Sequence, residues 1–116
     1  MNPFKAFSAA SMKKDVTMIL PEPFKKGSLS VEEAIKRRRT VRSFSSRPLE
    51  KGALSQLLYG VQGITEDKGF KRAVASGGAL YPLDVYAVVG DRGAEGLDAG
   101  VYHYIPAGHK IEPVIP

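Results

Sequence analysis

Five cationic side chains fall within seven residues: Lys36, Arg37, Arg38, Arg39 and Arg42. Guanidinium groups at this density have three uses. They can finish a helix, because cations favour the negative end of its dipole. They can form a diffuse nucleic-acid patch. They can converge their forked donors on one anion, such as a phosphate. Thr40 adds a hydroxyl at the same place. No aromatic residue interleaves the cluster as a base-stacking platform requires. On residue types alone all three uses stay open.

Ser76-Gly77-Gly78 is the second candidate. Two adjacent glycines let backbone approach a flat ligand closely. The same residues also suit a plain loop leading into a strand. The pattern is neither a GxGxxG fingerprint nor a GxxxxGK[ST] phosphate loop. His103 and His109 have no partner at metal-ligand spacing, so no metal site is expected and structural roles are favoured. Asp84, Asp91, Glu95 and Asp98 make no recognised carboxylate pair and are assigned to the surface. The chain has no cysteine, which excludes disulfides and thiolate chemistry within it.

The elements that must position these groups follow from capping and periodicity. Ser30 and Glu33 form a capping box, so a helix starts there and should end near Arg39 or Thr40. Val31, Ala34, Ile35 and Arg38 share one helical face, which puts Arg38 among core-like neighbours. A buried guanidinium is costly unless an anion pairs with it. Leu54, Leu57, Leu58 and Val61 follow i, i+3, i+4, i+7 and mark a second helix over 50–61, with Gly63 as its C′ residue. Residues 64–73 read as a charged connection. The run 85–89 reads as a central strand because its apolar character is nearly continuous. A second strand is expected over 100–105 and a third over 111–115, with Pro106-Ala107-Gly108 as the hairpin loop. The fold class is therefore α+β, two helices followed by strands of a mixed or antiparallel sheet.

With 116 residues the chain amounts to one small domain or part of one. Residues 1–27 read as an extended arm, in which 16–20 form a short strand, and residues 28–116 as the domain proper. Charge is uneven: residues 1–51 carry 12 Lys and Arg against 5 Asp and Glu, whereas 52–116 carry 5 against 7. The first half is thus the anion-facing half. No apolar run approaches the roughly 20 residues that span a bilayer, and the start lacks a secretory h-region. A cytoplasmic protein with no membrane partner is expected.

Ser28-Leu29-Ser30 with Glu32-Glu33, followed by Arg38-Arg39-Thr40-Val41-Arg42-Ser43-Phe44, resembles the opening of the nitroreductase superfamily of flavoproteins. The usual form there is Arg-Arg-Ser-x-Arg-x-Phe, and Thr40 stands at the serine. Residues 54–64 look like the second helix of the SagB-type dehydrogenase branch. Residues 76–86 resemble that branch's Ser-x-Gly-x-x-Tyr-Pro segment, and Gly100 to Tyr104 its Gly-x-Tyr-x-Tyr strand. The resemblance covers roughly residues 16–114.

This resemblance implies an FMN-dependent oxidoreductase, with NAD(P)H or a substrate as electron donor and flavin sites at the interface of a homodimer. SagB-type members include dehydrogenases that oxidise azoline rings in modified peptides, so a small-molecule or peptide substrate is implied and nucleic acid is not. Carried over by position, Arg38, Arg39, Thr40 and Arg42 hold the FMN phosphate and ribityl chain. Ser76, Gly77 and Gly78 approach the isoalloxazine ring. Lys36 and Arg37 are left as solvated remainder. No catalytic residue can be named. The sequence departs from the pattern at Ala75, where the family often has proline, and it matches only the family's N-terminal half. The implied assembly is a homodimer, or a second polypeptide supplying the other half. The alternative is a non-catalytic, flavin-less interaction module on the same fold.

Overall fold

The computed structural model describes residues 16–115. Residues 1–15 of the expected arm lie outside the described residues. The elements are β1 (Met18–Ile19), α1 (Val31–Arg37), α2 (Lys51–Gln62), a single 3₁₀ turn (Gly77–Ala79), β2 (Tyr86–Val89), β3 (Gly100–Ile105) and β4 (Lys110–Ile115).

α1 begins where the capping box puts it: Ser30 Oγ accepts the Glu33 N–H at 3.1 Å. It ends at Arg37, earlier than the sequence suggests, because Arg38 already has an extended backbone (φ −55°, ψ 128°). Arg39 Nη1 donates to the carbonyls of Lys36 (2.9 Å) and Arg38 (2.8 Å), satisfying oxygens that a longer helix would have used. None of the α1 side chains is buried. Val31 and Ile35 are 71% and 72% exposed, so the face predicted as core is open to solvent. Arg38 on that face is exposed too, which corrects the expectation of an inward arginine.

The strap from Arg38 to Leu49 rejoins the body at a parallel bridge between Leu49 and Ala94. Leu49 N–H donates to Gly93 O, and Glu95 N–H to Leu49 O, each at 2.9 Å.

α2 buries Leu54, Ser55, Leu58 and Gln62. Leu57 and Val61, predicted to share the core stripe, are instead exposed. The helix is apolar over a wider arc than the sheet covers, so periodicity finds the arc but not the edge that packs. Gly63 caps α2 with φ −61°, not in the left-handed conformation expected of a C′ glycine. Glycine is needed there for space: a Cβ would overlap the Tyr59 ring and carbonyl.

The sheet is four-stranded and antiparallel in the order β1-β4-β3-β2. β2 therefore lies at an edge, pairing only with β3 among the described residues, whereas its apolar run suggested a central strand. Along β2, Ala87 and Val89 turn toward the core, while Tyr86 and Val88 face outward and are exposed. Leu20, Leu54, Leu58, Val89, Ala94, Leu97, Tyr104 and Ile111 form the core. β3 and β4 are joined by the expected turn, closed by His109 N–H to Pro106 O at 3.0 Å.

Candidate functional site

The basic segment leaves α1 as an exposed strap. Its members are engaged unequally. Arg37 pairs with Glu33 one turn back at 3.7 Å, an exposed contact worth little. Arg39 is occupied by the helix-end carbonyls. Glu33, Lys36, Arg37 and Arg39 line a shallow groove beside α1. Arg38, Thr40 and Arg42 make no side-chain hydrogen bond or ion pair among the described residues. Two guanidinium groups are thus held on an extended strap with their donors free.

The glycine segment is more constrained. Gly78 sits at φ 66°, and Ala79 and Tyr81 follow with φ 54° and 44°. Two non-glycine residues in the left-handed region store about 1–2 kcal/mol each. Strain of this kind persists only where surroundings over-determine it. Ser76 Oγ supplies one restraint by accepting the Tyr81 N–H at 2.8 Å. A Cβ added at Gly77 would meet nothing within 4 Å, so open space borders the backbone there. No hydrogen bond or ion pair links this loop to the Arg38–Arg42 strap among the described residues.

Behind the loop stands a group the sequence did not single out. Arg72 stacks its guanidinium on the Tyr81 ring, 4.5 Å from the centroid, and Nη1 donates to Gln62 Oε1 at 3.1 Å. Gln62 is buried and its Nε2 donates to Leu83 O at 3.4 Å. Tyr81 OH donates to Phe70 O at 3.1 Å. The 64–72 connection is held by a bridge between Ile64 and Arg72 and by Glu66, which accepts the N–H groups of Lys68, Phe70 and Lys71. Desolvation raises the Glu66 pKa, but these backbone donors prevail and hold it below the usual carboxylate value.

Both histidines have several neighbours in the structure. His109 Nε2 lies 2.7 Å from Ser55 Oγ, and Nδ1 lies 2.8 Å from Tyr104 OH. Ser55 donates its proton to Pro21 O, so its oxygen accepts from His109 Nε2–H, and Nδ1 accepts from Tyr104. The ring is neutral in this chain of bonds. Burial lowers the His109 pKa and pushes the Tyr104 hydroxyl up to about 12. His103 stacks on Tyr86 with centroids 4.9 Å apart, and Asp84 and Glu112 flank it at 3.7 and 3.6 Å. No group of three metal-ligating side chains occurs among the described residues.

The nitroreductase family model matches residues 35–111. The chain belongs to the nitroreductase family. A protein of Methanocaldococcus jannaschii that carries a nitroreductase name is 40% identical over 87 residues, 75% of this chain and 42% of the relative. The trifolitoxin-processing protein TfxB of Rhizobium leguminosarum bv. trifolii is 48% identical over 44 residues, 38% of this chain and 12% of its own. The microcin B17-processing protein McbC of Escherichia coli is 35% identical over 63 residues, 53% of this chain and 23% of its own. The crystal structure of a nitroreductase from Ralstonia eutropha JMP134 superposes with a TM-score of 0.73 at 27% identity, covering 87% of this chain and 44% of that one. The nitroreductase-family chain thus spans under half the length of each of these relatives.

The structural likeness bears out the α+β class over the part of the fold that the chain covers. Among the described residues no helix is long and apolar enough to cross a membrane. Gln62 and Arg72 had no sequence signal: one is a polar residue on an apolar helix, the other a charge within a charged connection.

Proposed function

We propose that this chain is the N-terminal part of an FMN-dependent oxidoreductase of the SagB-type dehydrogenase kind. In such an enzyme a flavin, when bound, would carry electrons between NAD(P)H or a substrate and an acceptor. The observation that carries the reading is the pair of exposed, unengaged guanidinium groups at Arg38 and Arg42, on the strap that matches the family's phosphate motif. The residues fit the cofactor in kind. Arg38 and Arg42 have free donors for a phosphate, Thr40 adds a hydroxyl, and Arg39 keeps Nη2 and Nε beyond its helix-end bonds. Gly77, between Ser76 and Gly78, offers backbone beside open space, which suits a flat ring.

The bound flavin supplies the redox chemistry, and the protein supplies orientation and electrostatics. In this chain Arg38 and Arg42 neutralise and anchor the phosphate end. The restrained Ser76–Tyr81 turn fixes the distance of closest approach at the ring. Exposed apolar residues on α1 and the strap, Val31, Ile35, Val41 and Phe44, are surface for a second copy or a second polypeptide that completes the site and excludes water. The processing role in the names of TfxB and McbC supports a peptide substrate for the SagB-like reading.

Flavin titration of purified protein tests it. Hydrogen bonds to charged groups are worth about 1.5–3 kcal/mol, so Arg38→Ala and Arg42→Ala each weaken FMN binding about 10- to 150-fold. Arg37→Ala, already paired with Glu33, leaves it nearly unchanged. Equal retention in all three variants refutes the socket. A second reading, a flavin-less interaction module, is favoured by the wholly exposed α1. It predicts a protein that stays colourless after FMN is added and has no NAD(P)H turnover.

A further inference from the structure

We propose that Arg72 is a positioning residue that sets the conformation of the Ser76–Tyr81 loop. The proposal rests on the reading of that loop as the flavin-ring contact. Three observations converge on Arg72. Its guanidinium covers the ring of Tyr81, the residue that closes the loop through Ser76 Oγ. Its Nη1 bonds Gln62, which also holds Leu83 O on the far side of the loop. Its Nε is buried with no hydrogen-bond partner among the described residues, a cost that a purely space-filling side chain would not carry.

The geometry explains why the cation is tolerated. Tyr81 and Ala79 hold left-handed backbone that relaxes unless something fixes the tyrosine ring. A planar cation on the ring face does so from one side, and the Tyr81 OH to Phe70 O bond does so from the rim. Arg72 and Phe70 both belong to the 64–72 connection, which returns to Gly63 through Ala73 N–H to Gly63 O at 2.9 Å. The C-terminus of α2 therefore determines, through Gln62 and Arg72, where Gly77 and Gly78 lie. Arg72 touches the loop, and it acts on the flavin only through it.

Amide hydrogen exchange on the 116-residue protein, with FMN titration beside it, tests the assignment. Loss of a cation–π contact and a charged hydrogen bond predicts that Arg72→Met speeds exchange in the 77–83 segment about 10-fold or more, with β3 and β4 unchanged. FMN affinity falls by a similar factor. Arg72→Lys keeps a cation over the ring and recovers part of both. Tyr81→Leu, which removes the stack from the other side, reproduces the Arg72→Met pattern should that variant fold poorly. Unchanged exchange in 77–83, or an equal rise in β3 and β4, overturns the proposal. Absence of FMN binding by the unsubstituted protein defeats the flavin reading, and the exchange measurement still decides the role of Arg72.

Discussion

Replacing Ser55 by alanine tests the polar chain that ties the arm, α2 and the β3–β4 turn together. Ser55 is 1% exposed and its hydroxyl serves two partners, donating to Pro21 O and accepting from His109 Nε2. The substitution removes one oxygen and leaves both partners unsatisfied. A buried group left unpaired costs about 1–3 kcal/mol. His109 is only half-buried, so water recovers part of its loss. The expected cost is about 2 kcal/mol in total, against a volume change too small to matter. For a domain of this size the urea slope is about 1–3 kcal/mol/M, so the midpoint falls by on the order of 1 M. The assay is equilibrium urea unfolding followed by circular dichroism at neutral pH. Tyr104 keeps its place, so its near-ultraviolet signal before the transition should match the unsubstituted protein. A midpoint shift under about 0.2 M, equivalent to a few tenths of a kcal/mol, refutes the reasoning. It would mean that Pro21 and His109 reach other partners freely.

Gly63→Ala places a Cβ against the Tyr59 carbonyl and ring, and overpacking of this kind costs about 1–3 kcal/mol, visible as a lower thermal midpoint. Burial depresses the His109 pKa below its unfolded value of about 6.5. Its contribution to stability is therefore complete above about pH 6.5 and is lost as pH falls below that through the folded pKa. His109→Asn, whose side chain tolerates the residue's φ of 50°, flattens the stability profile in that window when urea midpoints are compared from pH 7.5 to 5. Gly77→Leu enters open space, so unfolding changes by less than about 0.5 kcal/mol, as for a surface substitution. Flavin retention nevertheless falls if the ring rests against that backbone.

The elements were legible where a local rule decides them. The Ser30 cap, the strand positions and the turn at 106–109 each depend on neighbours within a few residues. The packed faces were not. Val31 and Ile35 have helical spacing, but spacing cannot say whether the covering surface belongs to the same chain. The α2 stripe was displaced because Ser55 and Gln62 are buried by hydrogen bonds that span 34 and 21 residues to Pro21 and Leu83. β2 read as central because an apolar run marks a strand meant to be covered, yet among the described residues one of its edges is open. At the candidate site residue types singled out the charges and the glycines, and only the family resemblance chose among their uses. The Arg72–Tyr81 stack depends on the 64–72 connection folding back, which no periodicity reports.

The sheet order also dictates a sequence of events during synthesis. β2, β3 and β4 are neighbours in the chain and can zip as a meander within microseconds of leaving the ribosome. β1 pairs with β4 through Met18 and Ile111, residues from opposite ends of the described chain. Closing a loop of about ninety residues costs on the order of 4 kcal/mol in chain entropy. Leu20 and Ser55 can therefore be sealed only after Ile111 has emerged, so the arm waits until β4 is made. Until then the α2 face that buries Leu54 and Leu58 lacks its final cover, and a nascent chain stalled before β4 is a natural client for a chaperone.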